Sequence, residues 1–218
     1  MASRIVILDA AGRDFHNFNA LRPGQCDGYH PGEAVLRMAD VVVINKVDAA
    51  SRADVQRVSE EVRTLNRRAI VVRAASPVRL DASPPIRGRR VLVVEDGPTI
   101  THGGMSYGAG YVAATADGAA AIVDPRASAA PAVQAIFARY PHIGPVLPAV
   151  GYDAGQLEAL RETIDRAEAD VVVSATPIDL AGLIAIDKPV VRARYEYEDG
   201  GEPTLGEVID RFLADRPH

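Results

Sequence analysis

Asn45-Lys46-Val47-Asp48 directly follows an unbroken apolar run, Val41–Ile44, and carries the sharpest chemical signal in the chain. An Asn-Lys-x-Asp loop at the end of a buried strand can read a guanine base. The Asp48 carboxylate accepts two N–H donors from the guanine edge, Asn45 works on the other side of the ring, and the Lys46 stem packs over base and ribose. Adenine is excluded because a site built for those donors would otherwise bury an unpaired charge. The next apolar run ends in Arg73-Ala74-Ala75-Ser76, where small residues such as Ala75 and Ser76 let backbone N–H groups approach the same base. The bland alternative makes Lys46 and Asp48 solvated loop charges ahead of a helix.

The phosphate end of such a site has no counterpart in these residues. A phosphate loop needs Gly-x-x-x-x-Gly-Lys-Ser/Thr, with backbone N–H groups and an ammonium around the phosphates. The chain has only two lysines, Lys46 and Lys188, and neither follows a glycine.

A second group of chemistry-bearing residues follows the run Val91–Val94: Glu95, Asp96, Thr99, His102, Gly103 and Gly104, then Gly108 and Gly110. Ligands of open α/β sheets bind at the carboxyl ends of strands. Glycines let backbone approach a ligand, and a helix beginning near Tyr107 would favour an anion. The expected ligand carries phosphate, with His102 and Arg126 as contacts and magnesium between Glu95 and Asp96 to offset two carboxylates. The alternative is a glycine-rich structural turn. Gly108-Ala109-Gly110-Tyr111-Val112-Ala113 also mimics a dinucleotide fingerprint, but it lies about a dozen residues beyond its strand instead of in the immediate turn. After the first strand, Arg13, His16 and Asn17 can hold phosphate, or their loop can tuck Phe15 and Phe18 into a core.

The elements that must position these residues follow from periodicity. Apolar runs over 4–9, 40–44, 69–74, 90–95, 120–124, 145–149, 170–174 and 189–195 read as strands, and most do not alternate with polar residues, as expected for strands buried on both faces. Helical patterns cover 51–65, 129–139, 153–167 and 204–214; the first opens at Ser51 with Asp54 three residues on. Alternating strands and helices predict an α/β fold with mostly parallel sheets and flanking helices. The seam Ser83-Pro84-Pro85-Ile86-Arg87-Gly88 divides the chain into 1–87 and 88–218. The first part carries 13 basic against 10 acidic residues and the second 11 against 19. Neither balance is the clustered basic face of a nucleic-acid binder. With 218 residues, 48% of them hydrophobic, the chain can bury a sizeable core, and one cysteine excludes a disulfide framework. No apolar run approaches the about 20 residues of a membrane span, so no membrane partner and a cytoplasmic location are expected.

Several segments together resemble the cyclic 2,3-diphosphoglycerate synthetase family, also described as predicted GTPases. They are Ala10–Asn19, Tyr29–Glu33, Arg37–Asp48, Val91–His102, Tyr107–Ala113, Ile122–Arg126, Gly144–Gly151, Thr176–Leu180 and Gly201–Leu205. The resemblance implies ATP-driven closure of a phosphoanhydride between the two phosphates of 2,3-diphosphoglycerate, a small phosphorylated metabolite, with ATP or GTP and Mg2+ as cofactors, in a homodimer. It implies a truncated P-loop-NTPase-like half at 1–87 and a Rossmann-like half at 88–218. Family members are about twice this length, and here Asn19 runs almost directly into Leu21-Arg22-Pro23-Gly24, so the chain reads as an internally deleted member without the Walker A loop. The alternative function is a non-catalytic module that binds a nucleotide or phosphometabolite, or dimerises.

Overall fold

The computed structural model describes residues 5–9, 31–102, 104–150 and 153–214. In chain order the elements are β1 (Ile5–Asp9), α1 (Pro31–Arg37), β2 (Val41–Asn45), α2 (Arg52–Leu65), β3 (Ile70–Ala75), β4 (Val78–Leu80), β5 (Arg90–Asp96), α3 (Gly97–His102), α4 (Ala109–Ala116), β6 (Ala121–Ile122), α5 (Pro131–Arg139), β7 (Leu147–Ala149), α6 (Ala154–Arg166), β8 (Val171–Ala175), α7 (Leu180–Leu183), β9 (Val190–Tyr195), β10 (Glu198–Asp199) and α8 (Leu205–Ala214). Every strand and helix read from periodicity is present, with shifted bounds. The short elements β4, β10, α3 and α7 are too brief to generate a period.

The chain divides into two compact units, Met1–Pro77 together with Tyr195–His218, and Val78–Arg194. The proline-rich seam at 83–88 therefore lies inside the second unit, and the last residues rejoin the first. Composition marks where a chain bends, but which sheet a distant helix packs on is set by tertiary contacts.

In the first unit the described strands are ordered β1-β2-β3-β10. β1, β2 and β3 are parallel, with Val6 opposite Val42 and Val43 opposite Val72; β10 is antiparallel to β3. Alternate residues of β2 face opposite ways, so Val42 and Ile44 pack with Leu36, Val58 and Val62 of α1 and α2, while Val41 and Val43 pack with Val72, Ala74 and Val208 of α8. Full burial on both faces is why β2 reads as a continuous apolar run. Ser51 caps α2, its Oγ accepting the Asp54 N–H at 3.1 Å. Asn66 closes that helix. Its Nδ2 donates to the Leu36 and Ala39 carbonyls at 2.8 Å each, and its Oδ1 accepts the Arg68 and Ala69 N–H groups. A buried amide with both ends satisfied ties α1, α2 and the start of β3 together.

In the second unit the described strands are ordered β4-β9-β8-β5-β6, with β7 also on β5. β5 pairs in parallel with β6, β7 and β8, and β8 with β9. Val91–Val94 and Val171–Val173 are fully buried, with Ile100, Leu147, Leu160 and Ile164 in the same core. The chain is thus α/β with mostly parallel sheets. No described helix is long and apolar enough to cross a membrane.

Candidate functional site

The residues expected from the sequence to read a base converge in the first unit. β2 delivers Asn45 to its carboxyl end, and Lys46 then adopts φ +58°, the left-handed region that costs a side-chain-bearing residue about 1–2 kcal/mol. That turn folds the next two residues back across the sheet end. The Val47 N–H reaches the Ala74 carbonyl at 3.1 Å, and Asp48 Oδ1 accepts the Ser76 N–H at 3.0 Å. The Lys46 carbonyl accepts the N–H groups of Ala49 and Ala50 at 3.1 and 3.2 Å, closing the turn ahead of α2. Asn45, Lys46, Asp48, Ala75 and Ser76 are thereby gathered at one end of β2 and β3. Asp48 is exposed and at the same time bonded to the neighbouring loop. One of its oxygens aligns the neighbouring loop, and the carboxylate keeps lone pairs for donors of a ligand.

A further segment flanks this site and was not assigned to it from the sequence. β10 pairs Glu198 with Ala75 and Asp199 with Ala74. The Gly200 N–H donates to the Arg73 carbonyl at 2.8 Å, and the Glu196 N–H to the Pro77 carbonyl at 3.0 Å. The spacing between these partners leaves no local signal. Only the recurrence of Tyr195, Tyr197 and Gly200-Gly201 hints at a strand and turn there.

In the second unit the expected crevice residues are arranged differently. Glu95 and Asp96 are consecutive on β5, so their side chains leave opposite faces of the sheet and do not converge as a metal pair. Glu95 is 2% exposed. Its Oε1 accepts the N–H groups of Gly108 and Tyr111 at 3.1 and 2.8 Å, so the chain's own carboxylate occupies the amino end of α4, where an external anion was expected. Burial raises its pKa; the backbone N–H groups of Tyr111, Gly110 and Gly108 oppose that, and Asp96 adds to it. The glycines permit this fit. A Cβ on Gly108 would lie 2.5 Å from Glu95 Oε2, and one on Gly110 2.5 Å from Ala175 Cβ. Close packing against β5 and β8 accounts for the Gly-x-Gly pattern.

Asp96 Oδ2 accepts from the Thr99 hydroxyl at 2.7 Å and its N–H at 3.3 Å, capping α3. His102 is exposed at the end of α3, its Nδ1 2.9 Å from Thr101 Oγ1, and Gly104 turns the chain at φ +68°. Arg126 does not project toward them as an open cation. Its guanidinium bonds Asp124, the Gly144 carbonyl at 2.9 Å and the Ile143 carbonyl, and lies 4.3 Å over the Phe137 ring. Among the described residues no three His, Cys, Asp or Glu side chains gather to hold a metal ion. Arg13, His16, Asn17 and Gly103 lie outside the described residues.

Two comparisons bear on these features. Residues 5–73 match the CobW/HypB/UreG nucleotide-binding domain, the segment that holds β1, β2 and most of β3. Over 217 residues the chain is 51% identical to a protein of Thermococcus kodakarensis named arginine synthetase ArcE, an alignment that covers 95% of this chain and 48% of that protein. The chain spans about half the length of this curated relative.

Proposed function

We propose that the first unit binds a purine nucleotide through its base, guanine in preference to adenine, and that the chain serves a nucleotide-dependent synthetase. The observation that carries this reading is the Asp48–Ser76 contact, which presents a carboxylate beside a small-residue loop at the ends of two parallel strands. In it the Asp48 carboxylate accepts from the guanine N1–H and N2–H, Asn45 works on the opposite side of the ring, and the Lys46 stem covers the base. The match of residues 5–73 to a nucleotide-binding domain supports this independently of the geometry.

The residues fit the base and not the metal-bound phosphates. No Gly-Lys-Ser/Thr occurs in the chain, and residues 10–30 contain no lysine. Nucleotide phosphates and magnesium would supply the driving force of a synthetase. This favours a chain that recognises nucleotide without turning it over by itself, the second reading.

For the substrate, the sequence resemblance supports a small phosphorylated metabolite, and the relative's name supports arginine as product. Of the contacts expected in the second unit, His102 and Gly104 are the described residues that remain for such a ligand, since Thr99 is bound to Asp96. Calorimetric titration of the chain with GDP and ADP tests the base reading, with tighter GDP binding expected and equal affinities overturning it. Titration with 2,3-diphosphoglycerate, with and without Mg2+, and with arginine separates the two substrate classes. Sedimentation equilibrium tests the homodimer.

A further inference from the structure

We infer that the returning segment Glu196–Gly200 is the positioning element of the base-reading loop, a role that rests on the reading of Asn45–Ser76 as a purine site. β2 and β3 stay in parallel register only to Ile44 opposite Arg73. Ala75, Ser76 and Pro77 project beyond that register, and their placement needs partners from elsewhere. Asp48 takes the Ser76 N–H on one side. On the other side the returning segment runs antiparallel to the loop in a single unbroken register: Glu196 N–H to the Pro77 carbonyl, Glu198 opposite Ala75, Asp199 opposite Ala74, and Gly200 N–H to the Arg73 carbonyl. The loop is therefore clamped from both edges.

The clamp touches the Asn-Lys-x-Asp loop as well. A Cβ on Gly200 would lie 3.1 Å from Val47 Cγ2 and 3.2 Å from the Arg73 carbonyl carbon and oxygen. Val47 stands between Lys46 and Asp48, so one glycine backbone sits against both halves of the base site. The segment is in turn held by α8. Asp199 Oδ1 accepts the Tyr197 hydroxyl at 2.7 Å and the Leu205 N–H at 2.8 Å. Thr204 and Glu207 cap α8 reciprocally, and Val208 is fully buried against Val41, Val43 and Val72. α8 thus fixes Asp199, the segment fixes Ala74–Pro77, and Ser76 meets Asp48 in the geometry a base requires.

The substitution Gly200→Ala tests this in the full chain, with Asp199→Ala as a second way to loosen the segment. Asn66→Ala is the control, because it weakens the same unit at the opposite strand ends. Two readouts are taken: hydrogen exchange of the Val47 and Ser76 amides without nucleotide, and the ratio of GDP to ADP affinity. Exchange at Ser76 is expected to rise, and the affinity ratio to fall, by about tenfold in both segment variants and in neither respect for the control. Unchanged Ser76 exchange in both segment variants overturns the inference whether or not nucleotide binds. So does an unchanged affinity ratio in a chain that binds GDP, or an equal change in Asn66→Ala. A parent chain that binds neither nucleotide defeats the base reading alone, and the exchange measurement still decides the positioning role.

Discussion

Asp48 and Ser76 are 28 positions apart and are joined by a hydrogen bond of 3.0 Å from the Ser76 N–H to Asp48 Oδ1. One carboxylate thereby fixes the loop after β3 and keeps acceptor capacity, so the two jobs proposed for it are loop anchor and base reader.

Asp48→Asn separates the two jobs. The amide oxygen still accepts the Ser76 N–H, so the fold holds, but the second acceptor for guanine is replaced by a donor. The preference for GDP over ADP is expected to shrink by about 1–3 kcal/mol. Calorimetry on parent and variant checks it, and a preference unchanged by the substitution removes Asp48 from base selection.

The chain by itself is expected to release phosphate from ATP or GTP only at the background rate. Phosphoryl transfer depends on positioning and charge stabilisation around the phosphates, and no Gly-Lys-Ser/Thr is present to supply them. A phosphate-release assay checks this; steady turnover that follows the purified chain and is abolished by Asp48→Ala would refute it.

Glu95 makes the second unit sensitive to pH in a defined direction. Burial holds its folded pKa above the ordinary carboxylate value, so the folded chain binds a proton more tightly than the unfolded chain. That contribution to stability is complete below the unfolded pKa and is lost as pH rises through the folded pKa, at about 1.4 kcal/mol for each unit between the two. In Glu95→Gln this slope disappears while the amide oxygen can still accept from Gly108 and Tyr111. Urea unfolding of both proteins at about pH 4 and about pH 7 tests it. The parent is expected to lose stability relative to the variant as pH rises, and the opposite sign would contradict the burial argument.

Gly110→Ala is expected to cost about 1–3 kcal/mol, because its Cβ would be forced within 2.5 Å of Ala175 Cβ and α4 must lift from the sheet. A loss of stability below that range would mean that α4 is free to shift. Because Gly110 faces β5 and β8, nucleotide affinity in the first unit is the wrong place to look for its effect, and thermal unfolding is the measurement.

Asn66→Ala leaves the Leu36 and Ala39 carbonyls and the Arg68 and Ala69 N–H groups without their partner. A loss on the order of 2–4 kcal/mol is expected in chemical unfolding. A near-neutral effect would show that water replaces all four bonds.

Much of the architecture is determined by local sequence alone. Val41–Ile44, Val91–Val94 and Val171–Val173 are apolar at every position because parallel strands bury both faces, and that pattern needs no tertiary information. Ser51 with Asp54 marks the start of α2, and Asn45-Lys46-Val47-Asp48 marks the loop at the end of β2. Tertiary structure alone decides what those residues meet. The strand pleat sends Glu95 and Asp96 to opposite faces, although adjacency in sequence suggested a metal pair. The internal Glu95 carboxylate takes the helix end where an outside anion was expected. Arg126 is consumed by Asp124 and two backbone carbonyls. Most of all, residues 196–200 lie against 73–77 because α8 buries Val208 on the first sheet, and a pairing across more than a hundred residues leaves no periodic trace: closing so long a loop is an entropic cost met by packing, not by any local preference.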